Sequence, residues 1–117
     1  MSRTKDVSYG SCAVSSERDE HGRVYVTVVG ELDPHTAQEL ELALEVDATE
    51  FVVDLVDCEF IDSTALGVLV TARPRVRRLA LIAPGLEVKR TLEISGLDRI
   101  IPVFGSRGSL AGLAADA

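Results

Sequence analysis

The chain has 117 residues, with 12 Lys and Arg against 19 Asp and Glu for a formal charge of −7, and it is 46% hydrophobic but only 4% aromatic, with no Trp. A chain of this length is expected to fold as one domain, burying roughly two-thirds of its unfolded surface without disulfide or metal staples, and here the core must be aliphatic. The acidic balance excludes a general nucleic-acid or anionic-membrane binder, because such partners reward positive fields.

The opening residues MSRTKDVSYG hold no apolar run of signal-peptide kind, and nowhere does the chain approach the ~18 apolar residues of a spanning helix, so the expected location is cytoplasmic. Cys12 and Cys58 are far apart with no CxxC, and in that compartment both are expected to be thiols. His21 and His35 lack the close spacing of helical metal ligands, so no metal and no cofactor is predicted.

Residues 1–6 read as a loose tail to a single domain spanning 1–117. Val7 to Ser16 gives a weak strand pattern broken by Gly10. Arg23 to Val29, RVYVTVV, is rich in β-branched residues and follows the turn residues His21-Gly22, which predicts an antiparallel hairpin ending at Gly30. In GELDP, Asp33 is suited to cap a helix whose first residue is Pro34, where the missing N–H costs nothing. Ala37, Leu40 and Leu44 then supply one packed face, with Glu39, Glu41 and Glu45 mainly opposite. Glu50 to Val56, EFVVDLV, suits a central strand covered on both faces. Cys58 to Ile61 leads to Asp62-Ser63-Thr64, a helix start feeding the apolar stretch ALGVLV, which must be mostly buried and which Pro74 stops. Arg78 to Ala83 reads as a strand ended by Pro84-Gly85, Leu86 to Ser95 as a helix capped by Gly96, and Ile100 to Phe104 as a last strand. Ser106 to Ala115 is predicted as a terminal helix, weakened by its glycines. The predicted fold is therefore an α/β sandwich, a mixed sheet of about five strands with about four helices in the order ββαβαβαβα, and right-handed crossovers gather the helices mainly on one face.

Chemistry points first to Phe60-Ile61-Asp62-Ser63-Thr64-Ala65-Leu66-Gly67, where hydroxyls meet a helix N-terminus. A phosphate on Ser63 would meet the positive end of the helix dipole; the plainer reading is that Asp62, Ser63 or Thr64 only caps the helix. Four segments taken in order carry more: GELD at 30–33, Asp54-Leu55, DSTALG at 62–67 and LEISGLD at 92–98. In this combination, over about Val24 to Val103, the chain resembles the STAS family, specifically bacterial anti-sigma factor antagonists. The resemblance implies that Ser63 is phosphorylated by the partner anti-sigma factor, a serine kinase of the histidine-kinase-like ATPase class. It also implies that a PP2C-type phosphatase resets it, and that Asp33, Asp62, Ser63, Thr64, Ala65 and Gly67 belong to the partner-binding surface. The unmodified chain would then dock on the anti-sigma factor and release a sigma factor. A phosphate beside Asp57, Glu59 and Asp62 would break that docking. The segment TARPRVRR is a few residues shorter than the family's common form, and Pro74 interrupts what is there a longer helix.

Other readings remain open from the residues. A STAS scaffold that binds its partners whatever the state of Ser63 differs only in its company. A serine hydrolase using Ser63, His35 and Asp33 lacks the G-x-S-x-G setting. The chain has no phosphate-binding GxxxxGK[ST] loop and no GxGxxG, so it reads as the substrate of a kinase and not as an enzyme. Arg73, Arg75, Arg77 and Arg78 form a basic cluster suited to an acidic protein surface, and without interleaved aromatics it does not suit nucleic acid.

Overall fold

The valines at 24, 26 and 28 all point to one side of a strand, and that alternation sets the layer order of the molecule. In the computed structural model, which describes residues 13–110, the chain runs β1 (Ala13–Arg18), β2 (Val24–Leu32), α1 (Pro34–Ala43), β3 (Glu50–Asp54), β4 (Cys58–Ile61), α2 (Ser63–Ala72), β5 (Arg78–Ile82), α3 (Leu86–Ser95) and β6 (Val103–Phe104). Short 3₁₀ turns occupy Arg73–Arg75, Leu97–Arg99 and Arg107–Leu110. The sheet order is β1-β2-β3-β5-β6, with β4 paired to the end of β2. Only β1 is antiparallel to its neighbour.

The predicted hairpin forms, held by the Asp19 carboxylate, which accepts from the amides of His21 and Arg23 at 2.9 and 3.0 Å. Gly22 supplies the positive φ that the turn requires. The predicted break at Gly10 lies outside the described residues.

All three helices cover the face carrying Val24, Val26, Val28, Phe51, Val53, Leu79 and Leu81. They place Ala37, Leu40 and Leu44, then Ala65, Leu69 and Ala72, then Val88 and Leu92 against it. The expected one-sided helix layer is therefore present. On the reverse face Val52, Ala80 and Ile82 are covered by Leu110, so β3 is buried on both sides, as its unbroken apolar run requires. Glu50, at the start of β3, takes Arg23, just before β2, at 3.3 Å and Arg78 of β5 at 3.5 Å, and these ion pairs tie the beginnings of three parallel strands together.

The element order departs from the sequence expectation in three places. Cys58–Ile61 is a strand, too short and too mixed in polarity for its period to show. Gly30, at φ +98°, does not end β2 but bends it, with a register shift at Gly30/Glu31, so that the strand leaves β3 and continues along β4. The terminal stretch begins as the 3₁₀ turn Arg107–Leu110 instead of an α-helix, with residues 111–117 outside the described region. Thus three α-helices, not four, are found among the described residues, and β6 shrinks to Val103–Phe104 because Leu97–Arg99 coils after Gly96.

Two glycines should respond oppositely to alanine. Gly96 ends α3 at φ +81°, where a Cβ is strained, so Gly96→Ala should cost roughly 1–2 kcal/mol. Gly67 lies within α2 with open space where a Cβ would stand, so Gly67→Ala should stabilise by about 0.4–1 kcal/mol. Urea unfolding of the two variants checks both signs.

Candidate functional site

Bending β2 at Gly30 lets Glu31 and Leu32 run beside Phe60 and Ile61. Paired strands lie about 4.8 Å apart, so the residues that follow, Asp33 and Asp62, emerge side by side at the same end of the sheet. The Asp62 amide donates to the Leu32 carbonyl at 3.1 Å. Each aspartate then caps a helix, and the two helices pack on one another.

The first cap is reciprocal. Asp33 Oδ1 accepts from the Thr36 amide at 2.9 Å, while Thr36 Oγ1 accepts from the Asp33 amide at 2.9 Å and has its one hydroxyl hydrogen to share between Asp33 Oδ1 and the Glu31 carbonyl, each at 3.0 Å. Sequence reading missed Thr36, although a hydroxyl three residues after an N-cap is the signature of a capping box. The Thr36 amide and then its hydroxyl hold the Asp33 carboxyl below its ordinary range. At the second cap, Asp62 Oδ1 accepts from the Ala65 amide at 3.0 Å. The carboxylate thereby takes the third amide of α2, leaving those of Ser63 and Thr64 as the turn beyond the reach of intrahelical bonds.

Ser63 and Thr64 are exposed at the first two positions of α2, with Asp62 half-buried beside them. Ala65 is fully buried and packs the helix onto the core, so its side chain faces the sheet instead of a partner. Gly67 is exposed one turn beyond Ser63, and Val70, 47% exposed, follows on the same strip. The helix is thus less buried than its apolar sequence predicts: its outer face carries Ser63, Thr64, Gly67, Val70 and Thr71. Neighbouring elements add Phe60 at 52% and Val56 at 48% exposure, with Asp57 and Glu59 also exposed. Nothing in the sequence marked Phe60 as outward, because the strand that turns it out was not recognised.

Two of the residues of the hydrolase reading are engaged elsewhere. His35 lies along α1 with its Nε2 3.7 Å from Glu39, while the Asp33 carboxylate is taken up by Thr36. The basic cluster also divides: Arg78 is largely buried on Glu50, Arg73 donates to the Ile100 carbonyl at 3.2 Å, and Arg75 and Arg77 remain on the surface.

Two measurements probe the caps. Asp62→Ala removes the acceptor for Ala65 and should cost about 1 kcal/mol, whereas Asp62→Asn keeps it and should unfold within a few tenths of the parent in urea. Asp33, with its carboxyl depressed below the ordinary 3.8, contributes stability that is present above that value and lost as pH falls through the lower folded-state value. A carboxyl NMR titration should place its midpoint below 3.8, and Thr36→Val, which keeps the amide donor but not the hydroxyl, should raise it part of the way back.

Comparison with known proteins agrees with this architecture. The model of the STAS domain matches residues 15–110. The anti-sigma-B factor antagonist of Listeria monocytogenes is 35% identical over 104 residues, covering 82% of this chain and 90% of that one. The crystal structure of an anti-sigma factor antagonist from Mycobacterium paratuberculosis superimposes with a TM-score of 0.80 at 26% identity, covering 92% of this chain and 97% of that one. The Bacillus cell fate determinant SpoIIAA in its phosphorylated form shares the fold at a TM-score of 0.66 and 17% identity, over 86% of this chain and 99% of that one. On the matched length, the 35% identity to the Listeria protein and the superposition on the mycobacterial structure, the chain belongs to the STAS domain family and, within it, to the anti-sigma factor antagonist family.

Proposed function

We propose that this chain is a regulatory binding protein, not an enzyme, that docks in its unmodified state on an anti-sigma factor carrying a histidine-kinase-like serine kinase domain, thereby freeing a sigma factor. Phosphorylation of Ser63 by that partner switches the docking off, and a PP2C-type phosphatase restores it. The observation that carries the reading is the setting of Ser63: its residue is exposed at the first position of α2, on a strip continued by Gly67 and Val70. The serine is therefore accessible to a kinase, and the surface around it offers a partner apolar area. At Gly67 no side chain holds a partner's backbone away.

The physical basis of the switch is charge. A phosphate brings about −1.5 to −2 charges, and the carboxylates of Asp33 and Asp62 already stand at the two helix starts. Because Asp62 occupies the Ala65 amide, α2 offers the phosphate only its first two amides and a like-charged neighbour. The group would project outward into the docking surface, where desolvation and repulsion weaken binding tenfold for every ~1.4 kcal/mol. No refolding of the domain is needed. That the fold is compatible with both states is supported by SpoIIAA, solved unphosphorylated and phosphorylated at the same TM-score of 0.66 to this chain.

Affinity capture from the native lysate with the parent chain, Ser63→Ala and Ser63→Glu as baits tests the reading, with retained proteins identified by mass spectrometry. A histidine-kinase-like ATPase should be held by the parent and Ser63→Ala and lost at least tenfold by Ser63→Glu. Gly67→Leu, which adds bulk to the outer strip, should reduce retention while the domain stays folded. Equal retention on all baits would instead make this a STAS scaffold indifferent to Ser63.

A further inference from the structure

The reverse face of the sheet is closed by the end of the described chain, and that closure reaches the turn from which β4 departs. After β6, the turn Arg107–Leu110 crosses back over the sheet and sets Leu110 on Val52, Ala80 and Ile82. Its first residue, Arg107, lies with its guanidinium 4.4 Å above the centre of the Tyr25 ring and donates through Nε to Asp54 Oδ2 at 3.0 Å. The Asp54 side chain is only 10% exposed, and its other oxygen accepts from the Val56 amide at 3.0 Å. One carboxylate thus joins two segments 53 residues apart: the C-terminal turn and the β3–β4 corner.

That corner starts β4. The Asp57 carbonyl accepts from the Gly30 amide at 3.0 Å and the Leu55 carbonyl from the Cys58 amide at 3.1 Å, so the backbone of residues 55–58 sets where β4 meets the bend in β2. The other end of β4 delivers Asp62 to Leu32 and Ser63 to the surface. A buried carboxylate that loses its cation is driven to turn toward solvent, and that rotation withdraws Oδ1 from the Val56 amide.

We propose that Arg107–Leu110 is a clamp on the β3–β4 corner, with Arg107 a positioning residue for the strand that presents Ser63; its bearing on partner docking rests on the function proposed above. Arg107 acts through Asp54 and touches neither Ser63 nor the outer strip of α2.

Amide hydrogen exchange followed by NMR on the full chain tests this without a partner. In Arg107→Gln, the amides of Val56 and Gly30 should exchange at least tenfold faster, while the central-strand amides of Val53 and Leu81, which report global opening, keep their rates. Arg107→Lys, which keeps a cation but not the flat guanidinium, should restore part of the protection. Leu110→Ala, which loosens the turn's apolar seat and leaves the ion pair intact, should raise exchange at Val56 less than Arg107→Gln does. Unchanged exchange at Val56 and Gly30 in Arg107→Gln overturns the proposal, as does a uniform rise that includes Val53 and Leu81. In a second arm, the ATPase captured by the Ser63→Ala bait should bind Arg107→Gln several-fold more weakly than the parent. If no such ATPase is captured, the functional reading fails on its own and the exchange rates still decide the clamp.

Discussion

The pairing of the end of β2 with β4 is the constraint on which the site depends. Strands β2 and β3 run together only as far as Thr27 and Asp54; past Gly30 the chain turns, and Leu32 finds Ile61 in place of a β3 partner. Parallel neighbours send the chain out of the sheet at the same end. The two departures here are Asp33 and Asp62, each a residue whose side chain can close a helix start. One short, irregular pairing therefore aligns two capped helix N-termini, and α1 can pack on α2 because both begin from adjacent strands. A straight β2 would keep the same helices and lose their common origin.

The caps also determine what kind of switch is physically available. A bare helix N-terminus attracts anions, and an antagonist built that way would shelter its own phosphate. Here Asp62 has already taken the Ala65 amide, and the Asp33 carboxylate is committed to the Thr36 amide and hydroxyl, which favour its ionised form. The site thus holds negative charge beside an exposed hydroxyl-bearing residue, which is the charge setting that the switch proposed above draws on. Val70 on the helix and Phe60 on β4 are exposed apolar residues.

The two faces of the sheet are built on different principles. The helix side is a continuous, mainly aliphatic layer of Val, Leu, Ile and Ala with Phe51 and Cys58, as a chain with so few aromatics requires. Among the described residues, the reverse side carries a small apolar group of Val52, Ala80, Ile82 and Leu110 edged by Tyr25 and Phe104, together with the charged contact between Arg107 and Asp54. Such a contact resists loss of either partner more than it adds to net stability, which suits a fastening that fixes a local geometry. Glu50 plays the comparable part at the opposite end of the strands, held by Arg23 and Arg78.

The sequence by itself determined most of the frame. The β-branched run of β2, Asp33-Pro34 at the start of α1, the alternation of Leu and Glu along it, and Gly96 closing α3 are local choices, each decided by backbone geometry within a turn or two, and each appears where its residues place it. The DSTALG segment identified the helix start that carries Ser63 for the same reason. What only the tertiary structure decided are the contacts between residues distant in the chain: the bend at Gly30 that recruits β4, the outward turn of Phe60, the burial of Ala65, the removal of Arg78 from the basic surface to Glu50, and the reach of Arg107 across 53 residues to Asp54. A glycine reads alike as a strand end or a strand bend, and a four-residue strand has too little length for a period. An arginine's partner is chosen by which strands happen to be neighbours, so these features required the assembled sheet.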